Sequence, residues 1–373
     1  MASVYSPGLK VVAKTNVHKE RRLPMLGDVH VKKGDVVKAE QVVASTYLPG
    51  NVTPLNLANQ LGCDPKEIND FLKKKTGDNV EKGEMIAETP GILGFFKTRI
   101  NAPIGGLVET ISTVTGQVIF REPPIPVEVL SYVDGEIEEV YPGEGVRVLT
   151  TASYIQGIFG IGPEVIGPLE IVAKNAAEVL DAPAIISAHI GKIIVGGSLV
   201  TAEALRKAVD CKVKGIVVGG IDAQDLKEFL GYDLGVAITG TEDKGITVVI
   251  TEGFGKIEMA QKTFDLLVSC KGRKTSINGA TQIRAGVIRP EVVIPLPGEK
   301  VGKEEVLKLV MAVGGMVLII REPRFGEVAK IVSLPEKPQM IPTEAKVRVV
   351  EIQLLKSGEK FVLPRANVEI IEE

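Results

Sequence analysis

Residues 34–44 read GDVVKAEQVVA and residues 77–87 read GDNVEKGEMIA. Glycine, aspartate, a valine at the fourth position, a late apolar residue and alanine recur at the same offsets, so the first third of the chain holds two similar strand-turn-strand units. Glycine tolerates positive φ and aspartate bonds to the backbone beyond it, which starts a tight turn; the alternating apolar residues that follow enter a strand. Outward from this pair, residues 101–111 (NAPIGGLVETI) supply another turn and strand, and residues 135–140 (GEIEEV) repeat the rhythm.

Between the two copies, Leu55, Leu57, Ala58, Leu61, Ile68, Phe71 and Leu72 fall at helical spacing. Thr53-Pro54 and Asp64-Pro65 are helix starts and Gly62 is a stop, which predicts a small helical pair inserted in a barrel at about residues 51–75. Lys73, Lys74 and Lys75 read as a solvated basic helix end, with phosphate contact as the alternative.

The combined pattern, V-x-x-G-D-x-V with A-P-x-x-G-x-V, resembles the barrel-sandwich hybrid of biotinyl and lipoyl domains, over roughly Pro24 to Val148. The resemblance implies a fold more than a function. Carrier domains of that family present a lysine at a hairpin tip. The corresponding turn here is Ala102-Pro103-Ile104-Gly105-Gly106, so no covalent lipoyl or biotinyl group is expected. Lys244 lies outside the repeated unit and reads as a turn lysine.

From about Thr150 the rhythm changes to short apolar strands ending in glycines, each followed by helical spacing: 192–197 (KIIVGG), 215–220 (GIVVGG) and 247–255 (TVVITEGFG). Strands and helices alternating in this way imply a parallel or mixed sheet covered by helices, with ligands favoured at the strand carboxyl ends. The loop Thr251-Glu252-Gly253-Phe254-Gly255 carries a hydroxyl, a carboxylate and two permissive backbones, and the hairpin signal at Asn278-Gly279 is followed by Arg284. If this region binds a small anion, the residues chosen are Thr251, Glu252, Gly253, Gly255, Asn278 and Arg284. Neither Gly-Gly turn is a dinucleotide fingerprint or a P-loop. Glycines fitted to strand-to-helix turns are the plainer reading. The cluster at 157–164 (GIFGIGPE) reads as an interdomain hinge.

After a helix expected at Lys303–Met311, strands over 316–320, 326–332, 345–352 and 360–371 make a small barrel. With a polar hairpin at Ser357-Gly358 and the ending PRANVEII, it resembles an SH3-like barrel of the KOW type, which implies RNA or ribosome contact. Its arginines and lysines alternate with glutamates and form no basic stripe.

Composition bounds the rest. At 373 residues the chain exceeds one core, and the expected architecture is multi-domain α/β and β: a lipoyl-like domain over 1–149, an α/β domain over 150–298 and an SH3-like barrel over 299–373. A net charge of −3 gives no global attraction to nucleic acid or anionic membranes, so any such contact is local. No apolar run reaches membrane-spanning length, and no signal segment is read at the start; a cytoplasmic address without membrane insertion is expected. Three scattered cysteines and three histidines indicate neither disulfide framework nor metal set, and no cofactor is expected. No complete catalytic constellation can be read, which leaves enzyme status open. Three functions follow: a scaffold or adaptor with protein partners or self-association, a small-anion binder or enzyme using the glycine loops, and an RNA- or ribosome-associated factor.

Overall fold

The computed structural model describes residues 10–90, 97–232, 243–281, 288–299, 311, 313–319, 324, 327–335, 337–340, 346–355 and 357–371. Both Gly-Asp turns form, and in the same way. Gly34 and Gly77 are left-handed (φ 89° and 95°). Lys32 N donates to Asp35 Oδ2 at 2.8 Å, and Lys75 N to Asp78 Oδ2 at 2.7 Å. Gly34 N donates to Ile137 O and Gly77 N to Val108 O, both at 2.8 Å.

The copies are nested rather than halves of one barrel. Val36–Val37 pairs with Gly135–Tyr141 over a core that includes Val37, Val43, Tyr132, Ile137 and Val148. Asn79–Val80 pairs with Gly106–Ser112 over a separate core of Leu57, Ile68, Val80, Ile86, Val108 and Phe120. Residues 51–122 therefore form an inserted unit whose ends meet: Glu122 N donates to Asn51 O at 2.9 Å. The helical pair belongs to that unit. Its first helix starts later than the sequence predicts, at Leu57–Leu61 with Asn56 as cap. Thr53 and Pro54 are held instead in the edge strand Val52–Asn56 by pairing with Gln117–Arg121, a position where proline is tolerated. Gly62 ends this helix at φ 67°, and Asp64 with Glu67 forms a capping box for the next turn.

In the middle region Val165–Ile171, Ile193–Val195, Gly215–Ile221 and Thr247–Phe254 run parallel in chain order. Lys274–Asn278 and Glu291–Pro295 add antiparallel neighbours, and Gly145–Gln156 follows. The same chain segment then continues as Phe159–Ile161 beside Thr247–Phe254, so the sheet closes on itself through residues 145–161. Residues 157–164 are thus no hinge. Ile158, Phe159 and Ile161 are buried, and a Cβ on Gly160 would stand 2.7 Å from both Gly279 O and Val248 O.

One face of the ring is lined by Ile155, Leu169, Val195, Val217, Val249, Ile277 and Val292, with Phe264 and Leu267 of the helix Gln261–Ser269 packed on it. The opposite face carries the helices Ala202–Asp210 and Ala223–Leu230. Thr201 and Asp222 cap those helices through their side chains, as their short oxygen-bearing groups favour. Gly145–Gln156 also pairs with Val11–Arg22 and Gly135–Tyr141, so one sheet passes from the N-terminal region into the ring without a break at residues 149–150. A five-stranded antiparallel sheet follows, in the order 360–364, 349–354, 328–333, 316–319, 368–371, with its own core of Val317, Ala329, Ile331, Val350 and Ile352. The helix expected at Lys303–Met311 lies almost wholly outside the described residues. No described helix is long and apolar enough to cross a membrane.

Candidate functional site

The carboxyl end of the strand Thr247–Phe254 is built from groups the fold uses itself. Thr251 Oγ1 donates to Val218 O at 3.4 Å. Glu252 Oε1 accepts Ala260 N at 3.0 Å, which fastens the carboxylate to the start of the helix Gln261–Ser269. Burial pushes this carboxyl above its ordinary range, against the pull of the Ala260 amide and the Thr251 hydroxyl. Gly253 and Gly255 are left-handed (φ 144° and 96°). The space over the neighbouring glycines is filled by this chain's backbone: a Cβ on Gly220 would lie 2.1 Å from Gly255 O, and one on Gly219 2.4 Å from Ile257 O. These glycines let loop pack on strand.

Asn278 sits elsewhere. Its Oδ1 accepts Ala280 N at 2.8 Å, and a Cβ on the adjacent Gly279 would lie 1.9 Å from Ile161 O. Ile161 is paired with Val248, four residues before Glu252, which puts the two sites roughly 13 Å apart along the strand. Arg284 lies outside the described residues. Thr251, Glu252 and Gly253 lie within the strand Thr247–Phe254, not in the loop the sequence predicts, with Gly255 just past its end; Asn278 does not join them.

A second place concentrates more chemistry. Where the N-terminal region meets the ring, a cleft of about 500 Å3 is lined by Glu20, Arg21, Glu128, Tyr132, Glu164 and Ile166, among others. Arg21 grips Glu164 with two bonds (2.8 and 2.7 Å), donates Nε to Leu130 O at 2.7 Å, and lies 5.3 Å from the Tyr132 ring centre. Behind it, Lys19 Nζ reaches both oxygens of Glu291 (2.6 and 2.5 Å) and Tyr154 Oη donates to Glu291 at 3.0 Å. Tyr132 is the anomaly of this cluster. It is fully buried, its φ of 71° is one that bulky side chains avoid, and its hydroxyl makes no hydrogen bond of good geometry among the described residues, the Glu291 carboxylate standing near it without closing one. Burial, then the Glu291 and Glu164 carboxylates, push the phenol well above its ordinary range. Ser276 Oγ holds the Tyr132 carbonyl at 2.5 Å.

Sequence reading missed this cluster because its members are far apart in the chain: Lys19 and Glu291 are separated by 272 residues. No short motif carries it. Among the described residues, no group of three or more His, Cys, Asp or Glu is placed to hold a metal. No protein-family model matches this chain, and no curated protein matches it.

Proposed function

We propose that this protein is a non-catalytic scaffold or adaptor acting through protein partners or self-association. The observation that carries the reading is the filling of the strand-end loops by the chain's own backbone, with Gly255 O and Ile257 O standing where a ligand would approach Gly220 and Gly219. Groups that looked available for an anion are spent on capping and packing. In this reading the nested N-terminal units are barrel-sandwich modules and the C-terminal sheet a KOW-type barrel, both mounted on the closed ring. Size-exclusion chromatography with light scattering on natively purified protein tests it. A defined homo-oligomer or a stoichiometric protein complex is expected, and a bare monomer at all concentrations contradicts it.

The unpaired hydroxyl and left-handed backbone of Tyr132, beside a cleft, favour a second reading: a small polar ligand held between Arg21, Tyr132 and Glu164. A ligand that binds only the native state raises its melting temperature. A metabolite screen read by thermal shift, with Tyr132→Phe as control, decides: a shift present in the wild type and lost in the variant supports this reading, and no shift from any compound removes it.

A further inference from the structure

Four lysines gather where the parallel strands of the ring begin. Lys192 and Lys214 immediately precede Ile193–Val195 and Gly215–Ile221, and Lys214 N donates to Lys192 O at 2.9 Å. Gly191 N donates to Lys212 O at 2.9 Å, which brings the exposed Lys212 alongside. Lys271 joins through Glu170, whose carboxylate takes Lys271 Nζ at 2.8 Å and Lys192 Nζ at 2.9 Å. Those two ammoniums hold Glu170 down at about 2. Glu170 and the exposed Asp210 offset part of the charge, and a positive surplus remains.

Bonded to this lysine field is the turn Ser187–His189, bracketed by Ile186 and Ile190. The neighbouring Ile185 is buried in the core under the helices, yet Ile186 and Ile190 are 53% and 59% exposed. The turn is tied down: His189 N donates to Ile186 O at 3.0 Å, Ile190 N to Ser187 O at 3.2 Å, and Ile186 N to His189 Nδ1 at 3.3 Å. Two large aliphatic side chains are thus held in water on an ordered backbone beside a cluster of ammonium groups.

We propose that this face docks on an anionic lipid surface, with Ile186 and Ile190 entering the headgroup region and Lys192, Lys212, Lys214 and Lys271 meeting the lipid charges. Protein interfaces enrich aromatic residues, methionine and arginine and deplete lysine; the turn and its lysine neighbours have the opposite make-up. Lysine suits a membrane boundary, because its stem lies along apolar material while its head stays with the phosphates. The chain's net charge of −3 does not oppose this at ordinary ionic strength, since screening confines the attraction to charges within about 10 Å of the surface. The inference is independent of the scaffold reading and of the Tyr132 cleft.

The test is co-sedimentation of the full chain with large vesicles of phosphatidylcholine alone or with one third phosphatidylserine. Binding is expected only to the phosphatidylserine vesicles and is lost on raising salt. Each lysine in contact is worth roughly fivefold in partitioning, so Lys212→Glu with Lys271→Glu lowers binding by at least about tenfold. Ile186→Ser with Ile190→Ser also lowers it while leaving the melting temperature unchanged, because both side chains are exposed. The proposal is overturned by equal binding to both vesicle types, by no binding to either, or by wild-type binding in both double variants. Retention of the chain on polyglutamate through the same lysines, with vesicles ignored, assigns the face to an acidic protein instead and equally overturns it.

Discussion

The inserted unit of residues 51–122 and the outer unit enclosing it are built on one turn, and they share the backbone bonds that close it. Ser131 N donates to Gln41 O in the outer unit as Ala102 N donates to Glu84 O in the inserted one, both at 2.8 Å. In that alignment Tyr132 and Asp134 of the outer unit stand where the inserted unit has Pro103 and Gly105. Tyr132 and Asp134 both engage the ring: Ser276 holds the Tyr132 carbonyl, and Lys274 reaches Asp134 Oδ1 at 3.2 Å. Gly105 offers no carboxylate to match Asp134, and the inserted unit keeps to its own core. The repeated positions build the same turn in each unit, and two positions that differ between them, Tyr132 and Asp134, add to the outer unit's attachment.

The largest effect that can break this comparison is expected from Glu291→Ala. The change leaves the Lys19 ammonium unpaired in a site where Glu291 is 8% exposed, and losing one partner of a buried pair costs about 3–5 kcal/mol. In the inserted unit Glu88 meets Lys73, Lys97 and Arg99, whose side chains are 41–66% exposed and can be solvated when the carboxylate is removed, so Glu88→Ala is expected to move the urea midpoint less despite removing three contacts. Equal shifts for the two variants would show that the outer unit is no more firmly fastened than the inserted one.

A smaller effect, of opposite sign, is expected from Tyr132→Phe. Deleting a buried hydroxyl without a partner relieves a desolvation penalty of about 1–3 kcal/mol, so urea unfolding of the variant should require more denaturant. Destabilisation instead would mean that the hydroxyl is bonded in the native protein. Asp35→Ala and Asp78→Ala sharpen the comparison from the other side. Each removes one turn hydrogen bond, and each is expected to cost about 1 kcal/mol. Costs that differ widely would show that the two turns are not equivalent.

The smallest effect is in acid. Burial opposes ionisation of Asp134, but the Ala39 amide and the Lys274 ammonium outweigh it and hold the carboxyl below its ordinary 3.8. A depressed pKa contributes stability that is present above the unfolded value and lost as pH falls through the folded one. Asp134→Asn should therefore weaken the protein at neutral pH, with the gap to wild type closing below about pH 3.8. Gly105 has no carboxylate to titrate, so the inserted unit lacks this contribution at the matching position.

Much of this was legible in the sequence where one residue type answers to one backbone need. The Gly-Asp turns, the stop at Gly62 and the alternation of strands with helices all follow from local rules. The nesting was not, because a doubled half-motif is equally compatible with one barrel or two. Ring closure was hidden in GIFGIGP, where glycines demanded by close packing against Gly279 and Val248 read as a flexible link. The stretch Thr251 to Gly255, expected as a loop, continues the strand as far as Phe254, and its sequence conveys nothing about the backbone that roofs the neighbouring glycines. Tyr132, Lys19 and Glu291 come together only through three-dimensional packing.

Native mass spectrometry of the full chain, purified without denaturation, tests the scaffold reading most directly. The account predicts masses at a whole multiple of the chain, or at the chain plus a protein partner, with no metabolite released on collisional activation. A single chain that carries and releases a molecule of metabolite size would contradict it and move attention to the Tyr132 cleft.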